Sequence, residues 1–319
     1  MEIREQRAAA GANATEPHPT AARRPEPSII KAIGWMTVAL FAFTLTAVSM
    51  REAGRAMTSI DAMFYRSLIS LVLLLIGLKI WGIPVTSLKT RQPGYQIARA
   101  WAHFIGQWSW MSAVLLIPLV ELFAIEFTTP LWVAVLAPFL LGERLTLYRI
   151  SAAVLGFIGV MIIVQPGSAS LGLGTGLAVL CALMFAFNLI GTKYLTRQDS
   201  PLTIILFMTV NHTVLSFLIA ARTLPLPDAY TAVWLFMLGA ASLAAHFGLA
   251  QAISHADAIV VAPMDFMRLP LIAAVGMLVY SEQPHALVLL GAAIVLGANV
   301  LNLWGEHRTR QRASLRVSR

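Results

Sequence analysis

The sequence predicts an all-α integral membrane protein with ten transmembrane helices, arranged as a 5+5 inverted repeat around a central cavity. Three observations support this fold class. Apolar stretches of about 20 residues, the length that spans a bilayer, recur along almost the whole chain. Only 12% of the 319 residues are charged, which is about half the usual share in soluble proteins. Short motifs of the first half of the chain also return in the second half.

The helices are placed by the length of the apolar stretches and by the turn signals between them. Proline marks several of the boundaries, for example Pro118 before the fourth helix and Pro201 before the seventh. The predicted helices cover residues 29–50, 59–82, 94–116, 119–141, 147–165, 172–195, 202–222, 230–253, 257–280 and 285–304.

Two polar tails flank this membrane region. Residues 1–28 are rich in Ala, Pro and Arg and lack an apolar run, which predicts a disordered tail, and residues 305–319 form a basic tail. Seventeen of the 23 Lys and Arg residues fall on the side of the two termini, and three fall on the other side. Because cytoplasmic loops carry the excess of Lys and Arg, we expect a multi-pass protein of the inner (cytoplasmic) membrane with both termini in the cytoplasm.

The repeat is indicated by motifs that occur in the same order in both halves. The matching motifs are 41–43 and 185–187 (Phe-Ala-Phe), 102–104 and 245–247 (Ala-His-Phe), and the acidic-Phe pairs 126–127 and 265–266. Two five-helix repeats are therefore predicted, 29–167 and 172–304. Five spans are an odd number, so the second repeat enters the membrane inverted. Inverted repeats place a binding site near the midplane, where rocking of the halves gives alternating access.

These stretches resemble the EamA-type branch of the drug/metabolite transporter superfamily. The resemblance spans roughly residues 30–305, and its motifs identify the family better than a substrate. Its main stretches are FYRS (64–67), ARAWAHFIGQ (98–107), VELFAIEFTTPLWVAVLAPFLLGE (120–143), GFIGVMIIVQPG (156–167) and AAHFGLAQAISHADAIVVAPMDFMRLPLIAAVGMLVYSE (244–282). The resemblance implies ten helices around a central cavity and transport of amino acids, metabolites, vitamins or metallophores.

A polar stripe on the third helix is the clearest candidate lining. Five residues fall within an arc of about 80°: Gln96, Arg99, His103, Gln107 and Trp110. Such a stripe should face protein or a watery cavity instead of lipid. Arg99 has a second interpretation, because it lies near the cytoplasmic end and could extend to the membrane surface. His103 and Gln107 lie deeper, and His246 corresponds to His103 in the second half.

Glu126, Asp265 and Arg268 are charges within otherwise apolar helices. Two interpretations remain open for Asp265 and Arg268: they neutralise each other locally, three residues apart on one helix, or they line the cavity and bind substrate or a coupling proton. Pro130 and Pro270 follow the two acids and are expected to loosen the helices there, as in other midplane sites.

Three further residues complete the candidate set. Thr129 could bond the substrate or satisfy a carbonyl of the preceding turn. Asn188 is a candidate because the family resemblance implies that the sixth helix lines the cavity. Arg66 is a candidate extracellular gate that pairs with Glu121 or Glu126, or else it reaches the lipid headgroups.

The favoured function is secondary active transport by alternating access, without a cofactor. The first expectation is export of a small metabolite, an amino acid or a related compound, with proton coupling left open. The alternative is uptake of a vitamin or nucleoside-like compound of the riboflavin or S-adenosylmethionine type. The chain has no GxxxxGK[ST] motif for ATP. A membrane-embedded enzyme is a remote alternative, since His103, His246, Glu126 and Asp265 lack the spacing of an HExxH metal site.

The expected partners are a small-molecule substrate and the lipid bilayer, and nucleic acid is not expected. Small residues four apart allow close helix contact, within the monomer or between two copies. Such pairs occur on the fifth helix at Ala152 and Gly156 and on the tenth helix at Ala293 and Gly297. They raise the possibility of a homodimer.

Overall fold

The computed structural model describes residues 28–141, 147–165, 172–196, 198–222, 224–256, 261 and 264–317. Within these ranges the chain is helical apart from its connections, which include one short 3-10 turn at Val85–Ser87. The helices are α1 (Ile29–Ala53), α2 (Ser59–Ile80), α3 (Pro93–Leu116), α4 (Leu119–Glu126), α5 (Thr129–Leu141), α6 (Leu147–Val164), α7 (Leu173–Leu195), α8 (Pro201–Ala220), α9 (Ala229–His255), α10 (Arg268–Tyr280) and α11 (Ala286–Val317).

The helices have the length and polarity of a multi-pass membrane protein. Within the described ranges, 8 helical spans are long and apolar enough to cross a membrane, with α4 and α5 counted together. The remaining two of the ten predicted spans are α3, whose polar stripe lowers its hydropathy, and α10, which has only 13 residues. Large apolar side chains such as Phe41 and Leu278 are exposed on the outside of the bundle, where lipid would cover them. The all-α membrane fold is therefore confirmed.

The fourth predicted helix is interrupted beside its acidic residue. α4 ends at Glu126 and α5 begins at Thr129. Pro130 has no N–H group to donate to the carbonyl of Glu126, and the hydroxyl of Thr129 donates to this carbonyl instead, at 2.7 Å. The amide of Asn299 in α11 donates to the carbonyl of Phe127, at 2.7 Å. The predicted span 119–141 therefore consists of two helices, and the loosening expected at Pro130 is confirmed.

The last helix is longer than predicted. α11 continues to Val317, whereas the sequence analysis ended it at residue 304. The end of an apolar stretch marks where a helix leaves the bilayer, and the following residues contain no proline that would stop it. The guanidinium carbon of Arg308 lies 3.8 Å from the centre of the Trp304 ring, which stabilises this exit.

The pairing of the helices has the symmetry of a repeat. α1 packs along α9, α3 along α7, α2 along α8, and α6 along α11. With α4 and α5 counted as one span, α1 and α3 are the first and third spans of the first half, and α7 and α9 are the corresponding spans of the second half. Exchanging the halves therefore converts the α1–α9 pair into the α7–α3 pair, and it leaves the α2–α8 and α6–α11 pairs unchanged. Two copies of one five-helix unit produce this pattern. The limits of the repeats, 29–167 and 172–304, stay a prediction.

The small residues of α6 are used inside the monomer. Ala152 is fully buried, and a Cβ atom built on Gly156 would clash with the side chain of Leu131. This face is therefore not free for a second copy. Ala293 is exposed on α11, and a Cβ atom on Gly297 would meet nothing within 4 Å. The homodimer stays a prediction that rests on α11 alone.

The two ends of the bundle carry different polar contacts. We call the end where α1 begins and α9 ends the terminal end, and the opposite end the distal end. At the terminal end, Asp199 accepts hydrogen bonds from Thr90 Oγ1 at 2.6 Å, Gln96 Nε2 at 2.8 Å and the backbone N–H of Arg91 at 3.4 Å. Burial opposes the ionisation of Asp199, but these bonds outweigh it and hold the pKa of its carboxyl below the usual value. Asp199 thereby joins the connection after α2 to the connection after α7.

Candidate functional site

A cavity of about 430 Å³ lies between the two halves of the bundle. Ten of the candidate residues from the sequence line it. They are Arg66, His103, Gln107, Trp110, Glu126, Thr129, Asn188, His246, Asp265 and Arg268. The polar face of α3 is buried, whereas Trp101 on its other face is 45% exposed, as the helical periodicity predicted. The functional roles of these residues stay predictions.

Three charged residues in the cavity, Glu126, Asp265 and Arg268, form one network that crosses the two halves. Arg268 Nη1 lies 3.2 Å from Glu126 Oε1, and Arg268 Nη2 lies 3.2 Å from Asp265 Oδ2. The indole N–H of Trp110 donates to the other oxygen of Glu126 at 2.8 Å. Both interpretations of Asp265 and Arg268 therefore hold in part, since they pair locally and also line the cavity. With both acids ionised, the network carries one net negative charge.

Aromatic rings fix the position of the Arg268 guanidinium. Its central carbon lies 4.6 Å from the ring centre of Phe43, 5.0 Å from Phe127 and 5.4 Å from Phe123. Such contacts attract a cation to the face of the ring and hold it in place. The second oxygen of Asp265, Oδ1, has no hydrogen-bond partner within the described part of the chain. Among the described residues, the network thus contains an unpaired acceptor oxygen on Asp265, beside an Arg268 guanidinium that the aromatic rings hold in place.

Arg66 lies in a second polar group of the cavity, together with histidines. Its Nη2 atom donates to the hydroxyl of Ser242, and the carbonyl of Ser242 lies 2.8 Å from His246 Nδ1. Nearby, His103 Nδ1 and His212 Nε2 are 3.2 Å apart and share a hydrogen bond. The predicted pairing of Arg66 with Glu121 or Glu126 is wrong. The direction of the Arg66 side chain follows from the packing of α2 against α9.

Arg99 and Gln96 are the residues of the predicted stripe that do not line the cavity. The Nη1 atom of Arg99 donates to Asn188 Oδ1 at 2.9 Å, and its Nη2 atom donates to the carbonyl of Ile204 at 3.1 Å. Arg99 is only 4% exposed, so it does not extend to the membrane surface either. Arg99 therefore joins α3 to α7 and α8. The hydroxyl of Thr129 also has backbone partners, the carbonyls of Glu126 and Ala182.

The distal end of the cavity is closed by Arg51 and Glu282. The two side chains form an ion pair, and Arg51 also donates to the carbonyls of Val114 and Ile117, both at 2.7 Å from Nη2. The other oxygen of Glu282 accepts from the backbone N–H of Leu119, at 3.0 Å. The sequence analysis did not foresee this closure, which ties α1, α4 and the end of α10 together.

The lining of the cavity is displaced toward the terminal end. Ile253 and Leu303 line it close to the point where their helices leave the apolar region. The lining residues nearest to the distal end, such as Thr46 and Trp110, lie more than one helical turn inside. Together with the closure by Arg51 and Glu282, this lining favours an opening at the terminal end.

Several functional candidates were missed by the sequence analysis. Ser242 could have been found, because it lies one turn before His246 on the same face of α9. His212 was visible as a polar interruption of an apolar helix, without an indication of its partner. Phe43 had no local signal beyond its place in a repeated motif. In the part of the chain that is described, no group of three or more His, Cys, Asp and Glu residues is placed to hold a metal ion.

Comparison with known proteins identifies the family. Residues 30–165 match the model of the EamA-like transporter family. The riboflavin transporter of Vibrio cholerae is 31% identical over 289 residues, which cover 88% of this chain and 96% of that protein. The chain belongs to the EamA-like transporter family. The S-adenosylmethionine uptake transporter of Rickettsia felis is similar over the same share of the chain, with 27% identity over 280 residues and 95% of that protein covered.

The fold also matches a solved structure. One crystal structure with 16% sequence identity superposes with a TM-score of 0.62 and covers 88% of this chain and 99% of that one. This likeness concerns the fold alone. Family membership and the apolar helices make the chain a multi-pass membrane transporter of a small molecule, in agreement with the expected drug/metabolite transporter superfamily.

Proposed function

We propose that this transporter takes up a compound of the riboflavin or S-adenosylmethionine type across the inner membrane. The observation that carries the proposal is that relatives matching almost the whole chain are named for these two compounds. Both compounds contain a nitrogen heteroaromatic ring. The sequence analysis placed export of an amino acid or related compound first. The names of these relatives support its alternative better.

The chemistry of the cavity supports a compound of this type. Its volume of about 430 Å³ falls in the range of about 300–1,000 Å³ that is usual for sites of drug-sized ligands. Several aromatic side chains line it and can stack on a flat ring: Phe43, Trp110, Phe127, Phe185 and Phe266. The polar groups converge on two positions, around Arg66 and around Arg268, and could orient the ends of such a compound.

Transport by alternating access requires the open end to change. With the termini in the cytoplasm, as the distribution of Lys and Arg favours, the terminal end of the cavity faces the cytoplasm. Outward opening would break the ion pair of Arg51 with Glu282 and close the terminal end by rocking of the halves. Glu126 and Asp265 share one arginine, so a proton on one of the two acids would neutralise the group. This arrangement supports proton coupling as the driving force.

The test is uptake by the purified protein reconstituted in liposomes. Labelled riboflavin and S-adenosylmethionine are each offered at rising concentration, with and without an inward proton gradient, and protein-free liposomes serve as the control. Saturable uptake and counterflow of either compound are expected. A panel of labelled amino acids is run in parallel. Saturable flux of an amino acid, with no flux of either ring compound, would contradict the proposal and restore the first expectation.

A further inference from the structure

Arg66 is a buried cation that faces the cavity without an anionic partner. The residue is 4% exposed, and in the described ranges no carboxylate oxygen lies within 4 Å of its guanidinium. Its Nη2 atom donates to the hydroxyl of Ser242, and its Nε atom has no hydrogen-bond partner among the described residues. Arginine remains protonated in proteins, so the full charge is buried.

Two other arginines of the bundle are better compensated. Arg268 has two carboxylates, and Arg51 has the carboxylate of Glu282 together with two carbonyls. Arg99 also lacks a carboxylate, but an amide oxygen and a carbonyl accept from it, and it does not line the cavity. A buried charge without a partner is costly in a membrane protein and usually serves a function. Arg66 is such a charge at the surface of the substrate cavity.

The position of Arg66 gives the cavity two poles. Ser242 and His246 lie between Arg66 and Phe43, whose ring contacts His246 on one side and the Arg268 guanidinium on the other. With both acids ionised, the pole around Arg268 carries one net negative charge, whereas the pole at Arg66 carries one positive charge. A substrate that is itself polarised, with an anionic group at one end, would match both poles.

We propose that Arg66 binds an anionic oxygen group of the substrate, a carboxylate or a phosphate. The planar guanidinium matches both groups through paired N–H donors. This inference rests on the proposed function and narrows it. It favours a compound with a carboxylate, such as S-adenosylmethionine, over riboflavin, which has no anionic group at neutral pH.

A purely structural role for Arg66 makes a different prediction. A second, small cavity of about 20 Å³ lies beside Arg66 and is also lined by Ser67 and Ser70. It has room for about one water molecule, which could satisfy the guanidinium without any substrate. In that case phosphate or acetate would change the melting temperature of the wild type and of the Arg66 variants by the same amount.

The first experiment measures anion binding without transport. The melting temperature of the purified protein in detergent is recorded while inorganic phosphate or acetate is titrated, with chloride holding the ionic strength constant. The wild type should show a saturable rise of about 2–4 °C, the shift that corresponds to about 1 kcal/mol of ligand binding. Arg66→Gln should lose the saturable part, and Arg66→Lys should retain some of it. Arg99→Gln removes a buried arginine outside the cavity and should respond like the wild type.

The second experiment compares pairs of compounds that differ in the anionic group. One pair is S-adenosylmethionine and its decarboxylated form, and the other is riboflavin 5′-phosphate and riboflavin. Wild-type uptake should favour the anionic member of at least one pair by about 10- to 100-fold in apparent affinity, as expected for hydrogen bonds to a charged group. In Arg66→Gln this ratio should fall toward one, through weaker binding of the anionic member. The pair that responds identifies carboxylate or phosphate.

The outcomes separate the two proposals. Equal anion responses of wild type and Arg66→Gln in the melting assay would overturn the role of Arg66, whatever is transported. If Arg66→Gln does not fold, Arg66→Lys decides, because it keeps the charge but loses the planar pair of donors. An Arg66-dependent anion response without flux of any of the four compounds would support anion binding and contradict the proposed substrate type.

Discussion

Replacing Arg268 by methionine tests whether the charges in the cavity depend on one another. Methionine keeps most of the volume between the phenylalanine rings but removes the cation that lies 3.2 Å from both Glu126 and Asp265. Breaking a buried ion pair by removing one partner costs about 3–5 kcal/mol, because the remaining charge stays buried without compensation. At about 2–4 °C per kcal/mol, the melting temperature should fall by roughly 6–20 °C.

The same loss should be largely recovered when the two acids are neutralised as well. The variant Arg268→Met with Glu126→Gln and Asp265→Asn contains no uncompensated charge in this network, and we expect it to regain more than half of the lost melting temperature. It should still fail to transport in liposomes if these groups bind substrate or protons. A single variant as stable as the wild type, or a triple variant no more stable than the single one, would refute the electrostatic coupling. Wild-type flux in the triple variant would reduce the network to scaffolding.

Three further predictions concern the ends of the bundle and its helix contacts. Arg51→Gln removes the distal ion pair, so a cysteine introduced at Thr46 in the cavity should be alkylated faster from the distal side; an unchanged rate would argue against this closure. Gly159→Ala should lower the free energy of unfolding by about 1–3 kcal/mol, because its Cβ atom would lie 2.9 Å from the carbonyl oxygen of Gly291 in the facing helix α11. Gly297→Ala is the control, and thermal melts should show no loss of stability for it, since its Cβ atom would meet nothing within 4 Å. Asp199→Asn should lower the melting temperature at about pH 7, and this difference from the wild type should shrink below about pH 4. The reason is that the stability contributed by a carboxyl with a lowered pKa is lost as the pH falls through that pKa. A difference in melting temperature that does not depend on pH would contradict the role of the ionised carboxylate.

Helical periodicity predicted which side chains face inward, because the angular position of a residue around a helix follows from its place in the sequence. His103 and Trp110 are buried on the predicted face of α3. The repeated acidic-Phe motif predicted that Glu126 and Asp265 would lie in the same cavity, since an inverted repeat brings equivalent positions to the midplane. These conclusions need no knowledge of which helices are neighbours.

The contacts between helices could not be predicted in this way. The pairing of Arg66 with Ser242 depends on how α2 rotates against α9, and the contact of Arg268 with Phe43 joins the two halves of the chain. Apolar residues are abundant on every helix, so hydropathy does not specify which pairs meet. The contacts of Arg51 could not be predicted either, because its carbonyl partners come from the end of another helix.

The hydrogen bond from Asn299 to Phe127 has a consequence for how the carrier moves. It joins α11, the final helix of the second half, to the break between α4 and α5 in the first half, directly after Glu126. A rocking motion that pulls α11 away from α4 must either break this hydrogen bond or move the residues at the break together with α11. In the second case the residues at the break act as a hinge, and movement of the second half changes the direction of the Glu126 carboxylate in the cavity.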